Sequence, residues 1–178
     1  MSQIGDEIVT LLPRLRGFAL ALANSTDEAD DLVQSTVERA LSRIHLWQPG
    51  TKLDSWMFRI LKNIWLNQLR KEKGQKAGNI LLNSPDHGID GVRYMETRFA
   101  LEQVQRIFYQ LSAEHREILH LVCVEGFAYR EAAEILDIPM GTVMSRVARA
   151  RVTLHDRMVE AETNTESEVS ELGLSSHG

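Results

Sequence analysis

The 178-residue sequence contains one cysteine, Cys123, four prolines and only 6% aromatic residues. A lone thiol cannot close an intramolecular disulfide, so a secreted disulfide scaffold is excluded and the chain reads as intracellular, with Cys123 as inert filler in an apolar helix. Cysteine clusters for a metal are lacking as well. His115 and His120 stand roughly 140° apart on a helix, so they do not converge on one ion, and no metal or cofactor is expected. The histidines are read as solvated or hydrogen-bonded. Long apolar runs are also missing: "FALALA" at 18–23 falls far short of the roughly 20 residues of a membrane span, and no basic-then-apolar leader opens the chain. A cytoplasmic protein without membrane contact is expected.

What is present is segregated charge. The formal net charge is -5, yet Arg59, Lys62, Arg70, Lys71, Lys73 and Lys76 face only Glu72 between positions 59 and 76. Between 141 and 158, Arg146, Arg149, Arg151 and Arg157 face only Asp156. The tail 161–178 carries Glu162, Glu166, Glu168 and Glu171 with no Lys or Arg. Two basic segments in an acidic chain fit two contacts with a polyanion, although solvated helix faces carry such runs too.

Strand alternation is nearly absent and a 3.6-residue period recurs, so the fold class is all-α. A first helix over about 5–23 has Pro13 as a kink or a later start. Ser25 with Glu28 forms a capping box for a second helix, whose face away from Leu32, Val37 and Ala40 shows Asp30, Asp31 and Gln34. Pro49 and Gly50 make a turn, and a third helix runs over about 54–73. "KGQKAGNILLNSPDHGIDG" then reads as a flexible linker over 74–93. The chain therefore divides into two small helical domains, 1–73 and 94–160. Ser112 caps a helix within the second, and the acidic 161–178 is expected to be disordered.

"YREAAEILDIPMGTVMSRVARAR", residues 129–151, has the spacing of a helix-turn-helix, with Asp137 at the position where such turns need a left-handed residue. On the second helix Val143, Val147, Ala150 and Leu154 form one apolar stripe. Ser145, Ala148 and Arg149, with Thr142 nearby, lie opposite; Arg146 flanks one edge, and Met144 with Arg151 the other. Such a face suits a duplex, central residues entering the major groove while edge arginines and N-terminal amides meet phosphates. In the third helix Trp56, Arg59, Asn63, Asn67 and Arg70 share a face. Aromatic, amide and guanidinium groups together suit unstacked bases, and the same residues would also suit a solvated helix with Trp56 in the core.

These segments together resemble an extracytoplasmic-function (ECF) sigma factor of bacterial RNA polymerase, the small class with only regions 2 and 4 of the sigma-70 family. "DEADDLVQSTVERAL" resembles the polymerase-docking segment, which implies core contacts at Asp30, Asp31 and Gln34. "PGTKLDSWMFRILKNIWLNQLRK" resembles the minus-10 region, which implies capture of a flipped base by Trp47, Lys52, Trp56, Arg59, Asn63 and Asn67. "LSAEHREILHLVCVEGFAYREAAEILDIPMGTVMSRVARAR" is similar to the minus-35 reader, implying contacts from Thr142, Met144, Ser145, Arg146, Ala148, Arg149 and Arg151. The "PGT" turn and "GFAYREAAEI" resemble the alphaproteobacterial general-stress branch. The resemblance implies core RNA polymerase, promoter DNA and an anti-sigma factor as partners, and no catalytic activity. Met144 and Ala148 depart from the basic and larger side chains of many relatives, so no minus-35 sequence carries over. Ala128 replaces a Ser/Thr cap, a change worth about 1 kcal/mol. The rival readings are an autonomous helix-turn-helix regulator, for which no sensor or heptad segment is visible, and a nucleic-acid enzyme, for which no activated nucleophile or two-metal carboxylate set is visible.

Overall fold

The structure is a computed structural model that describes residues 3–23, 25–75 and 95–173, and among these every regular element is helical. Helix α1 spans Gln3–Leu22 and α2 spans Thr26–Ser42. Ser25 Oγ accepts the Glu28 N–H at 3.2 Å, so the expected cap of α2 is in place. After a 3₁₀ turn at Ile44–Leu46 and a bend at Gly50, whose φ of 91° favours glycine, α3 runs over Leu53–Gln75. Pro13 sits on the exposed side within α1, so the helix does not begin after it.

The second half comprises α4 (Met95–Gln110), α5 (Ala113–Leu119), a π turn (His120–Val124), α6 (Tyr129–Leu136) and α7 (Met140–Gly173). Ser112 Oγ accepts from the His115 amide and caps α5. Asp137 is left-handed at φ 54° and ψ 49°, and it ends α6 as its sequence position predicts. Two expectations fail here. Residues 161–173 continue α7 rather than being disordered, because a preceding helix spares them the cost of nucleation. Cys123 is exposed, since the π turn carries it outward, where its Sγ lies 3.6 Å from Arg151. Of the expected linker, 74–75 belong to α3 and 76–93 lie outside the described residues, as do 174–178.

The two halves are docked on a common core. Phe18 of α1, Phe58 of α3 and Phe127, which precedes α6, form an aromatic cluster, all three buried, with Phe18 tilted against Phe58 at 5.3 Å between centroids and Phe58 edge-to-face with Phe127 at 5.1 Å. Arg14 lies over this cluster, 5.6 Å from the Phe58 ring and 5.7 Å from the Phe127 ring. Its Nε donates to Glu125 at 2.6 Å and its Nη1 to Asp54 at 3.2 Å, so one guanidinium ties α1 to both halves. Arg116 of α5 donates to the Ala21 carbonyl at 2.9 Å, satisfying the open end of α1.

A third cross-link is ionic and buried. Lys62 of α3 pairs with Glu117 of α5, with side chains only 11% and 6% exposed. Lys62 therefore does not belong to a polyanion-facing set: it stands within the apolar stripe of Phe58, Leu61 and Trp65, and its charge is spent inside the protein.

Candidate functional site

Helix α3 turns its apolar residues inward and leaves a polar stripe outside. Met57, Phe58, Leu61, Ile64 and Trp65 are buried, while Arg59, Asn63, Asn67 and Arg70 are exposed along one side. Trp56 joins that stripe half-buried, with its ring packed against the core, so it serves both packing and surface. Trp47 is half-buried at the entry to the turn before α3, and its indole N–H is enclosed without an acceptor among the described residues. Such an unmet donor costs about 1–3 kcal/mol.

The stripe is not fully open, because α6 crosses its N-terminal end. Trp56, Arg59, Lys52 and Ser55 line a cleft of about 340 Å³ with Glu131, Glu134 and Ile135 of α6. Lys52 forms an ion pair with Glu131. Their mutual hydrogen bond raises the Lys52 ammonium above its ordinary pKa, and the same bond, helped by the Ala128 amide, lowers the Glu131 carboxyl. Of the expected minus-10 residues, Trp56, Arg59, Asn63 and Asn67 share one helix and Lys52 adjoins them. Trp47 lies a turn earlier in the chain.

The helix-turn-helix is formed as its spacing predicts. Val143, Val147 and Ala150 are buried and Leu154 is partly so, which turns Met144, Ser145, Ala148, Arg149 and Arg151 outward with Thr142 half-buried beside them. Several of these groups are tethered. Ser145 Oγ donates to the Thr142 carbonyl at 3.0 Å, and Arg149 Nε donates to the Ser145 carbonyl at 3.3 Å, leaving the rest of that guanidinium outward. Arg146 is paired with Glu114 at 3.3 Å. The amides of Thr142 and Val143 are taken by the Pro139 carbonyl, so those two are not offered to phosphates.

On α2, Asp30, Asp31 and Gln34 are exposed together. Asp30 accepts from Arg16 Nε at 2.7 Å and Gln34 donates to Glu38 at 3.0 Å, whereas Asp31 projects beside them. Sequence reasoning missed Glu131 and Glu134, the acidic residues facing the α3 stripe. Their signal was faint: two carboxylates three apart on a helix otherwise read for its packing.

Comparison with known proteins agrees with this division. Sigma-70 region 2 matches residues 8–75, and Sigma-70, region 4 matches residues 101–154. The ECF RNA polymerase sigma factor EcfG of Rhodopseudomonas palustris is 37% identical over 155 residues, covering 84% of this chain and 81% of that protein. The ECF RNA polymerase sigma factor SigC of Mycobacterium tuberculosis is 30% identical over 135 residues, 76% of this chain and 72% of its own. Among solved structures, the sigma factor RpoE of Bartonella quintana, crystallised with the anti-sigma factor NepR, superimposes with a TM-score of 0.77. It is 31% identical, and the match covers 89% of this chain and 98% of that one. With regions 2 and 4 falling in order on the two docked halves of an all-helical fold, the chain belongs to the ECF RNA polymerase sigma factors of the sigma-70 family.

Proposed function

We propose that this sigma factor works in the cytoplasm as a promoter-specificity subunit without catalytic activity of its own, its residues divided among three contacts. Asp30, Asp31 and Gln34 meet core RNA polymerase. Trp47, Lys52, Trp56, Arg59, Asn63 and Asn67 hold an unstacked base and the adjoining backbone of the minus-10 strand. Flipping a base costs a few kcal/mol, and stacking on an aromatic face returns about 1–3 kcal/mol per base. Thr142, Met144, Ser145, Arg146, Ala148, Arg149 and Arg151 face the minus-35 duplex, with Arg149 suited to a bidentate contact with guanine. An anti-sigma factor partner is inferred from the B. quintana sigma factor, which was solved with one.

The observation that carries this reading is the pair of outward polar faces, one on α3 and one on α7, each backed by its own buried stripe. Transcription in vitro with purified core polymerase and a promoter library tests it. Initiation at defined starts that depends on the added chain is the expected outcome. Duplex binding without any polymerase-dependent start would instead mark an autonomous regulator.

A further inference from the structure

Two features of α7 are left over by the contacts proposed above. The first is apolar. Val152 and Val159, about two turns apart on one side of the helix, are 60% and 46% exposed, and neither belongs to the minus-35 set. The second is a reversal of charge along the same helix. Residues 142–151 carry Arg146, Arg149 and Arg151 without an acid, whereas 156–171 carry Asp156 and five glutamates against Arg157 alone, so +3 is followed by -5. Arg146 is taken by Glu114, but Arg149, Arg151 and Glu160 are exposed and have no oppositely charged partner among the described residues.

These groups stand in a self-complementary order. At about 100° per residue, the direction midway between Val152 and Val159 has Arg151 about 90° to one side and Glu160 about 90° to the other. A two-fold axis along that direction, passing between His155 and Asp156, lays Val152 of one copy on Val159 of the other. The same operation puts Arg151 beside Glu160 on one flank, and symmetry repeats each contact. We propose that two copies of this chain associate through α7, antiparallel and about that axis. A second copy is the fitting occupant because one helix holds the whole pattern: a cationic half, an acidic half and the valines between them. Two valine contacts with exposed ion pairs make an interface of the weak, concentration-dependent class. Its consequence rests on the assignment of the outward face of α7 to the minus-35 duplex. Arg151 cannot serve a carboxylate of the second copy and a DNA phosphate at once, so duplex and second copy compete for it.

Sedimentation equilibrium of the full-length chain over a concentration series tests the association. The average mass should climb toward twice that of one chain and fall back as salt screens the ion pairs. Glu160→Arg should weaken the dimer on the order of tenfold, since symmetry counts each lost pair twice. Adding Arg151→Glu to it exchanges the two charges and should restore association. A chain that stays monomeric throughout overturns the proposal, as does association that ignores Glu160→Arg or is not restored by the exchange. Val152→Ser with Val159→Ser should abolish association while leaving every proposed DNA contact in place; a variant that still dimerises equally overturns it. Anisotropy of a labelled, mixed-sequence DNA duplex separates this proposal from the assignment beneath it. At concentrations where the wild type is dimeric, the serine variant should bind the duplex more tightly. If that variant binds no duplex, the minus-35 assignment fails whatever the mass of the wild type. If it binds in a salt-sensitive way but no better than a dimeric wild type, the competition fails and the assignment stands.

Discussion

Replacing Lys62 by Met removes an ammonium while nearly preserving side-chain length, and it strands the Glu117 carboxylate in the seam between the halves. Breaking a buried ion pair from one side costs about 3–5 kcal/mol, because the remaining charge keeps its desolvation penalty without compensation. For a chain of this size each kcal/mol lowers the melting temperature by about 2–4 °C, so a fall of roughly 6–20 °C is expected at neutral pH. Undocking offers an escape, which a fluorescence-transfer pair on α2 and α7 reports as a longer distance. Lys62→Met combined with Glu117→Leu removes both charges and should recover to within about 1–2 kcal/mol of the parent. Acid should rescue the single variant. Burial raises the Glu117 carboxyl above its ordinary 4.5, against the opposing pull of Lys62. Its folded pKa thus exceeds the unfolded one, so its own stabilising contribution is full below about 4.5 and is lost as pH climbs through the folded value. A protonated Glu117 needs no partner, and the Lys62→Met penalty should shrink on acidification. A single variant that stays docked within about 1 kcal/mol of wild type at neutral pH would refute the argument, as would a double variant no better than the single.

The buried imidazole of His120 supplies a pH effect of opposite sign. Burial lowers its pKa below the ordinary 6.5 although Glu125 Oε1, 3.2 Å away, pulls it upward; Phe18 and Gly17 of α1 close the other side. Its contribution is therefore present above pH 6.5 and lost as pH falls, and His120→Gln should flatten that part of the urea-midpoint profile. Gly126→Ala should cost about 1–2 kcal/mol in urea titration for conformational reasons alone. Its φ is +74° and nothing lies within 4 Å of the added Cβ. Arg149→Ala should relax preference at one minus-35 base pair by about 1–3 kcal/mol in a binding series over all four bases, and unchanged preference would remove it from the reader. Asp31→Lys with Gln34→Ala should weaken capture of core polymerase while the helical circular dichroism signal stays intact.

Local features were legible in the sequence because their causes are local. Asp137 and Pro139 mark the turn before α7, the caps at Ser25 and Ser112 are written three residues ahead of the amides they accept, and the α3 stripe follows from a fixed angle per residue. The docking of the halves was not legible, since Arg14 meets Glu125 and Lys62 meets Glu117 across intervals that leave no periodic trace. A hint existed. Lys62 interrupts the stripe of Phe58, Leu61 and Trp65, and Glu117 abuts Ile118 and Leu119, two isolated opposite charges on apolar faces. Cys123 was misplaced for a related reason: a π turn shifts the phase of every later side chain, and a uniform 3.6-residue projection does not contain it. Composition misled for 161–173, where acidic residues extend an existing helix instead of ending it.

That π turn fixes the azimuth of everything downstream. The Glu125 amide reaches back five residues to the His120 carbonyl at 2.9 Å, and the Phe127 amide returns to Leu121 at 3.0 Å. Deleting one residue there would rotate α6 by about 100°, swinging Phe127 off Phe58 and Glu131 off Lys52 together. Segment length at 120–124 is consequently a stricter constraint than side-chain identity: exposed Cys123 and Val124 can be exchanged freely, but neither can be dropped without unmeshing the two halves.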